Sequence, residues 1–376
     1  MTGTVAAAKS TQRTDVVVPQ TGSEQKEDAS MEYRLLGNSG LRVSTITLGT
    51  GGFGNEGDLA WGHVDLAGAR RQVDMAIDAG VNLIDTADVY AGGRSEEIIG
   101  EILKDKRDSM LISTKVRFPS GKGPNDRGLS RAHILRSVET SLRKMQTDHI
   151  DIYHAHEWDG QVPLEETLHA FDTLVRDGKV RYLGVSNFTA WQLMKALSVS
   201  ELRGFQRIVS NQIYYSLQGR DAEFELLPLS VDQGLGVLVW SPLAGGLLTG
   251  KYRRDRRPEQ GRFLEERTEP PVRDLDKLYD IIDVLVEIAD NRGVPAAQVA
   301  LAWTLGRPAV TSVIIGARTE EQLAGTLGAA DIQLSAEERA ALDEVSAMPL
   351  IYPHWHQGAM PAESRGPSDR VLHGDK

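Results

Sequence analysis

The side chains in this sequence best suited to moving a proton at a polarised oxygen fall in five short segments. They are Asp85-Thr86-Ala87-Asp88-Val89-Tyr90, Lys115, His156, Ser186-Asn187 and Asn211-Gln212. Each has an ordinary reading when taken alone. Asp85 is a residue type that caps helices and forms turns, Tyr90 is one that packs against a core, and Lys115 and His156 are no more distinctive. Together they read differently. Lys115 follows the run Leu111-Ile112-Ser113-Thr114, and an ammonium buried there is costly unless a carboxylate pairs with it. Asp85 on a neighbouring strand can supply that partner. A tyrosine hydroxyl facing the ammonium has a lowered pKa, because the positive charge favours the phenolate, and so exchanges protons more readily. A neutral imidazole beside it orients a carbonyl oxygen between two donors, where negative charge develops as hydride reaches the carbon.

These residues are useful only if one scaffold brings them together. From residue 43 onward, short β-branched runs alternate with longer segments of helical apolar spacing, the pattern of a parallel sheet wrapped by helices. The expected strands are 43–48, 81–84, 110–113, 150–154, 180–185, 208–212, 237–240 and 310–315; the expected helices are 69–79, 95–103, 131–145, 164–177, 191–202, 223–233 and 275–292. Eight parallel strands with crossover helices close most simply into an α/β fold of the (β/α)8 TIM-barrel class, with extra C-terminal helices and long loops over the mouth. All five segments then lie at strand C-terminal ends, where such barrels hold their active sites. A doubly wound sheet is the competitor, but Gly49-Thr50-Gly51-Gly52-Phe53-Gly54 after the first strand lacks the dinucleotide fingerprint expected there.

Composition narrows the chemistry. The chain has 376 residues, no cysteine and a net charge of -11. Disulfides, cysteine-ligated metals and thiol catalysis are therefore out, redox chemistry requires a bound cofactor, and nucleic acid and anionic membranes are unfavourable partners. The expected location is cytoplasmic, with oligomeric state left open. Residues 1–30 are too polar to order themselves and are expected to form a disordered tail; 31–348 form the barrel; 349–376 form a C-terminal segment that can fold over the active site. His154 shares a strand face with His156 and is assigned to packing or substrate contact, since no further ligand accompanies it and no metal site is expected.

Several runs carry a resemblance: DTADVYAGGRSEEIIG at 85–100, STK at 113–115, DIYHAH at 151–156, GKVRYLGVSN at 178–187 and WSPLAGGLLTGKY at 240–252. In this order they resemble the aldo-keto reductases. The resemblance implies a barrel that binds NADP(H), in preference to NAD(H), without a dinucleotide-binding domain. It implies a catalytic tetrad of Asp85, Tyr90, Lys115 and His156, with Tyr90 giving the proton as hydride passes to an aldehyde or ketone, or the reverse. For the cofactor it implies Gly49, Thr50, Gly51 and Asp85 near the mouth; Ser186, Asn187 and Gln212 on the carboxamide; Trp240 on the nicotinamide ring; Ser241, Leu243, Gly245 and Lys251 on the pyrophosphate; and Gly316, Arg318 and Gln322 on the adenosine half. Gly325 and Thr326 depart from the Glu and Asn common in the family, which leaves the adenine contacts less determined.

Phe53, Trp61, Trp158 and Trp355 are the expected substrate contacts, an aromatic wall suited to a small-molecule carbonyl compound. A second role stays open, because the Trp240–Tyr252 stretch also resembles the potassium-channel beta subunits. In that reading the protein is an NADP-binding regulatory subunit with weak reductase activity.

Overall fold

The computed structural model describes residues 31–54, 64–256, 258 and 269–373. The expected tail at 1–30, Trp61 and most of the long loop after the seventh barrel strand lie outside them. A hairpin comes first, β1 (Tyr33–Leu35) antiparallel to β2 (Arg42–Ser44). Eight strands follow: β3 (Ile46–Gly49), β4 (Leu83–Asp85), β5 (Leu111–Val116), β6 (Ile150–Ala155), β7 (Val180–Ser186), β8 (Ile208–Tyr214), β9 (Gly236–Trp240) and β10 (Val310–Ile315). They form a closed barrel in chain order, with β10 pairing in parallel to both β9 and β3.

The helices are α1 (Leu66–Asp78), α2 (Arg94–Leu103), α3 (Arg131–Lys144), α4 (Leu164–Arg176), α5 (Ala190–Arg203), α6 (Leu226–Gln233), α7 (Leu275–Arg292), α8 (Ala296–Leu305), α9 (Glu320–Leu327), α10 (Ala336–Val345), α11 (His354–Gln357) and α12 (Arg370–His373). Their starts follow local chemistry. Asp65 accepts from the Gly68 amide at 2.8 Å and Ser130 from that of His133, each satisfying an amide that a first helical turn leaves bare. None of the described helices is long and apolar enough to cross a membrane.

One expected strand proves to be two. Residues 43–48 split between β2 and β3, so that the chain first covers the barrel floor and then enters the wall. Leu36 and Val43 from the hairpin join Leu83, Ile152, Leu238 and Ile314 in a small apolar cluster inside the barrel. Gly37 lets the hairpin seat. It has a φ of +57°, and a Cβ there would overlap the backbone of Gly234–Gly236. The larger core lies between strands and helices, as in β6, where Ile152 points inward and Tyr153 outward against Phe171 of α4.

α8 and α10 fall outside the seven expected helices. α8 is buried at every residue but Gln298 and so has no polar face to set a helical period. Its Trp303 ring meets the guanidinium groups of Arg220 (5.3 Å) and Arg307 (4.9 Å), and its indole donates to Asp343 of α10 at 2.9 Å. Glu223 accepts from Nε and Nη2 of Arg220, whose Nη1 donates to the Asp343 carbonyl at 2.9 Å, which ties the connection after β8 to α10. The C-terminal segment docks on α6, with His354 stacked on Phe224 at 5.3 Å and Val371 buried.

Candidate active site

Asp85 is the last residue of β4, and Lys115 sits in β5 with no exposed surface. The ammonium donates to Asp85 Oδ2 and to the Thr86 carbonyl, both at 2.6 Å, and lies 3.4 Å from the Tyr90 hydroxyl. Asp85 Oδ1 accepts from Ser113 Oγ at 2.7 Å and from Gln212 Nε2 at 2.9 Å. The carboxylate thus has three side-chain donors and the ammonium three acceptors, which is what allows an ion pair to persist away from water.

Tyr90 reaches this pair from the loop after β4, where Ala91 and Gly92 adopt left-handed backbone conformations that turn the chain sharply into α2. Its ring is partly exposed at the mouth, while its hydroxyl end points down to Lys115. The expected lowering of its pKa does not hold. Burial of the hydroxyl pushes the phenol up and outweighs the pull of the Lys115 charge, so Tyr90 stays protonated at neutral pH. Burial likewise works against the Lys115 ammonium, but Asp85 and then Tyr90 outweigh it and hold its pKa above the ordinary lysine value.

His156 follows β6 and meets Tyr90 edge-on, with ring centroids 6.0 Å apart, and also meets Phe118 edge-on at 4.8 Å. Burial first, then the Lys115 charge and, more weakly, that of Arg117, holds its pKa well below the ordinary value, so the ring is neutral. Asp88, between Asp85 and Tyr90, has both carboxylate oxygens buried without a hydrogen-bond partner among the described residues. Burial and then Glu96 push its pKa well above the carboxylate range.

Around this centre the structure brings several of the expected cofactor residues together. Trp240 Nε1 donates to Asn187 Oδ1 at 3.1 Å, and Asn187 Nδ2 donates to the His156 carbonyl at 3.1 Å. Gln212 is tied to Asp85, as above. Ser186 Oγ is buried with no partner among the described residues, an orphan acceptor and donor beside these amides. After β9 the chain runs through left-handed conformations at Ser241, Ala244, Gly245 and Gly246, and Gly245 N is held by Ser241 Oγ at 3.0 Å. Leu243 packs on the core there, and the Lys251 ammonium lies beside Gly246. Successive amides turned in this way form a concavity suited to an anion. After β10, exposed Gly316 and Arg318 precede α9, and Gln322 Oε1 accepts from the Arg318 amide at 3.0 Å. These features fit a dinucleotide, with amides and an orphan hydroxyl at one end and an anion cradle beyond. Thr50, flanked by Gly49 and Gly51, also braces β4: its hydroxyl donates to the Asp85 carbonyl at 3.0 Å and receives from Ser95.

The aromatic wall is partly corrected. Phe53 is 1% exposed and packs in the core, because its bridge to Val64 turns it under the mouth. Trp158 is partly buried against the core, edge-on to Phe188 at 5.3 Å and to Trp191 at 5.7 Å. Trp191 was not expected; it is 61% exposed on the first turn of α5, and its position four residues after Asn187 was the available signal. Tyr214, stacked at a tilt 5.1 Å from Trp240, was also missed. Trp355 is exposed and its ring contacts are with Tyr352 and His356, in the segment held on α6.

Residues 45–347 match the aldo/keto reductase family. The chain is 41% identical over 326 residues to "Uncharacterized oxidoreductase YrpG" of Bacillus subtilis, covering 84% of this chain and 96% of the relative. It is 39% identical over 309 residues to a "Probable voltage-gated potassium channel subunit beta" of Oryza sativa, covering 80% and 92%. It is 33% identical over 350 residues to the "Versiconal hemiacetal acetate reductase" of Aspergillus parasiticus, covering 86% and 99%. A closed eight-stranded barrel, an Asp85–Lys115–Tyr90 cluster at its mouth and a family match across most of its length agree: this chain belongs to the aldo/keto reductase family.

Proposed function

We propose that this protein reduces an aldehyde or ketone with NADPH, Tyr90 giving the proton to the carbonyl oxygen. The observation that carries the reading is the Lys115 ammonium placed between Asp85 Oδ2 and the Tyr90 hydroxyl. Bound NADPH supplies hydride to the carbonyl carbon. The chain's own residues do the rest. Tyr90, protonated at neutral pH, holds the oxygen and gives it a proton; Lys115 stabilises the phenolate left behind; Asp85 fixes the ammonium. Neutral His156 gives the oxygen a second donor and restricts its approach. Ser186, Asn187 and Gln212 are assigned to the carboxamide, Trp240 to the ring face, the Ser241–Gly246 loop and Lys251 to the pyrophosphate, and Arg318 to a 2′-phosphate. The aromatic cluster at Trp158 suits a substrate with an apolar portion.

The names of the Bacillus and Aspergillus relatives support an oxidoreductase role. The rice relative supports a second reading, an NADP-binding regulatory subunit with weak turnover. The complete tetrad favours catalysis. Initial rates of NADPH and NADH oxidation across a panel of aldehydes, ketosugars and bulky ketones separate the two: substrate-dependent oxidation supports the enzyme, and tight cofactor binding without reduction of any carbonyl supports the regulatory subunit.

A further inference from the structure

Inside the barrel, one layer below the tetrad, His154 bridges two serines. Its Nδ1 lies 3.2 Å from Ser113 Oγ and its Nε2 lies 3.2 Å from Ser210 Oγ. All three side chains are fully buried. The ring leaves β6 and crosses over β7 to reach β8; the β7 residue it crosses is Gly184, paired in register with both His154 and Ser210, and a Cβ there would overlap the imidazole. The barrel wall is left bare at one point for this ring.

The proton positions follow from counting. Ser113 has one hydroxyl proton, and it goes to Asp85 Oδ1 at 2.7 Å, since a carboxylate paired to Lys115 only accepts. Ser113 Oγ must therefore accept from His154, so Nδ1 carries the hydrogen. Burial, with Lys115 acting in the same direction and Asp85 against it, lowers the ring pKa to about 3, so the ring has only that one proton. Nε2 is then an acceptor and Ser210 its donor. An Nε2–H ring would set two lone pairs against each other at Ser113 inside a dry core.

We propose that His154 is a positioning residue for the tetrad: an imidazole protonated on Nδ1 alone, carrying a one-way hydrogen-bond chain from Ser210 through Ser113 to Asp85. Each link polarises the next, and the last fixes the carboxylate plane so that Oδ2 meets Lys115. The catalytic consequence rests on the reductase reading above; the proton assignment does not. Long-range ¹H–¹⁵N correlation of histidine-labelled protein, with the His154 signals identified by their loss in His154→Gln, reads the assignment directly. A proton on Nδ1, a bare Nε2 and no change between pH 5.5 and 9 are expected; a proton on Nε2, or titration in that range, overturns the proposal. In kinetics, His154→Phe should lower kcat about tenfold, the scale of one charge-assisted hydrogen bond, and His154→Gln, which keeps a donor and an acceptor, should recover most of that loss. In a Ser113→Ala background, His154→Phe should add less than about twofold, because the chain is already cut. The same fold-loss in both backgrounds would show that His154 only fills space.

Discussion

Lys115 Nζ lies 2.6 Å from Asp85 Oδ2, with the lysine side chain wholly buried and the aspartate nearly so. Such a pair is costly to form and more costly to break, since loss of one partner leaves a charge without compensation. Asp85→Leu or Lys115→Met alone should lower unfolding free energy by about 3–5 kcal/mol. The double variant should lose much less than the sum, because neither charge remains. Urea unfolding of the four proteins measures this, and additive losses would mean that the pair is not coupled.

The proton donor sets the pH dependence. Burial raises the pKa of Tyr90 and depresses that of His156, so reduction needs the neutral form of both. The kcat for carbonyl reduction should be level across the neutral range and fall only in alkali, as Tyr90 loses its proton. A limb near the ordinary histidine value of 6.5 would place a titrating imidazole in the site and contradict the assignment.

Asp88 should behave as a buried neutral acid. Its folded pKa is raised above the ordinary aspartate value of 3.8, so the folded state holds a proton that the unfolded state releases. Its contribution to stability is complete below that value and is lost as pH rises through the folded pKa. Asp88→Asn, which keeps the shape without an ionisable proton, should raise the urea midpoint at pH 8 and leave it nearly unchanged at pH 4. An equal shift at both values would point to shape rather than charge.

On the proposed reading, cofactor choice depends on the loops after β9 and β10. Arg318→Ala should raise KM for NADPH about tenfold, one phosphate contact's scale, and leave KM for NADH almost unaltered. Lys251→Met should weaken both, because the pyrophosphate is common to them. Equal effects of Arg318→Ala on the two cofactors would remove this arginine from the 2′-phosphate.

The barrel and the grouping of Asp85, Tyr90, Lys115 and His156 at its mouth were legible because both depend on local patterns. Parallel strands buried on two faces read as short apolar runs, and Asp85, Tyr90, Lys115 and His156 each stand at or near a strand end. What escaped depended on partners distant in sequence. The β1–β2 hairpin is short, and its Leu36 and Val43 matter only because the barrel floor is open to them. α8 has no polar face, although α10 carried a readable start in Ser335 and Glu338, which cap each other's amides at 2.7 and 3.2 Å. Phe53 seemed a substrate contact because its loop follows a strand, but its direction is set by Val64. The Tyr90 shift was misjudged for a related reason: the ammonium is visible in sequence, and the depth of the hydroxyl is not. His154 was seen on the right face, but its serine partners lie on β5 and β8.

The central claim is that the Tyr90 hydroxyl gives the proton. Single-turnover oxidation of bound NADPH by a reducible aldehyde, compared between wild type and Tyr90→Phe with cofactor affinity followed by fluorescence, tests it most directly. The account predicts unchanged NADPH affinity and a rate lower by about 10²–10⁴-fold, the range for loss of a positioned general acid. A Tyr90→Phe protein that binds NADPH and reduces the aldehyde at the wild-type rate would contradict it.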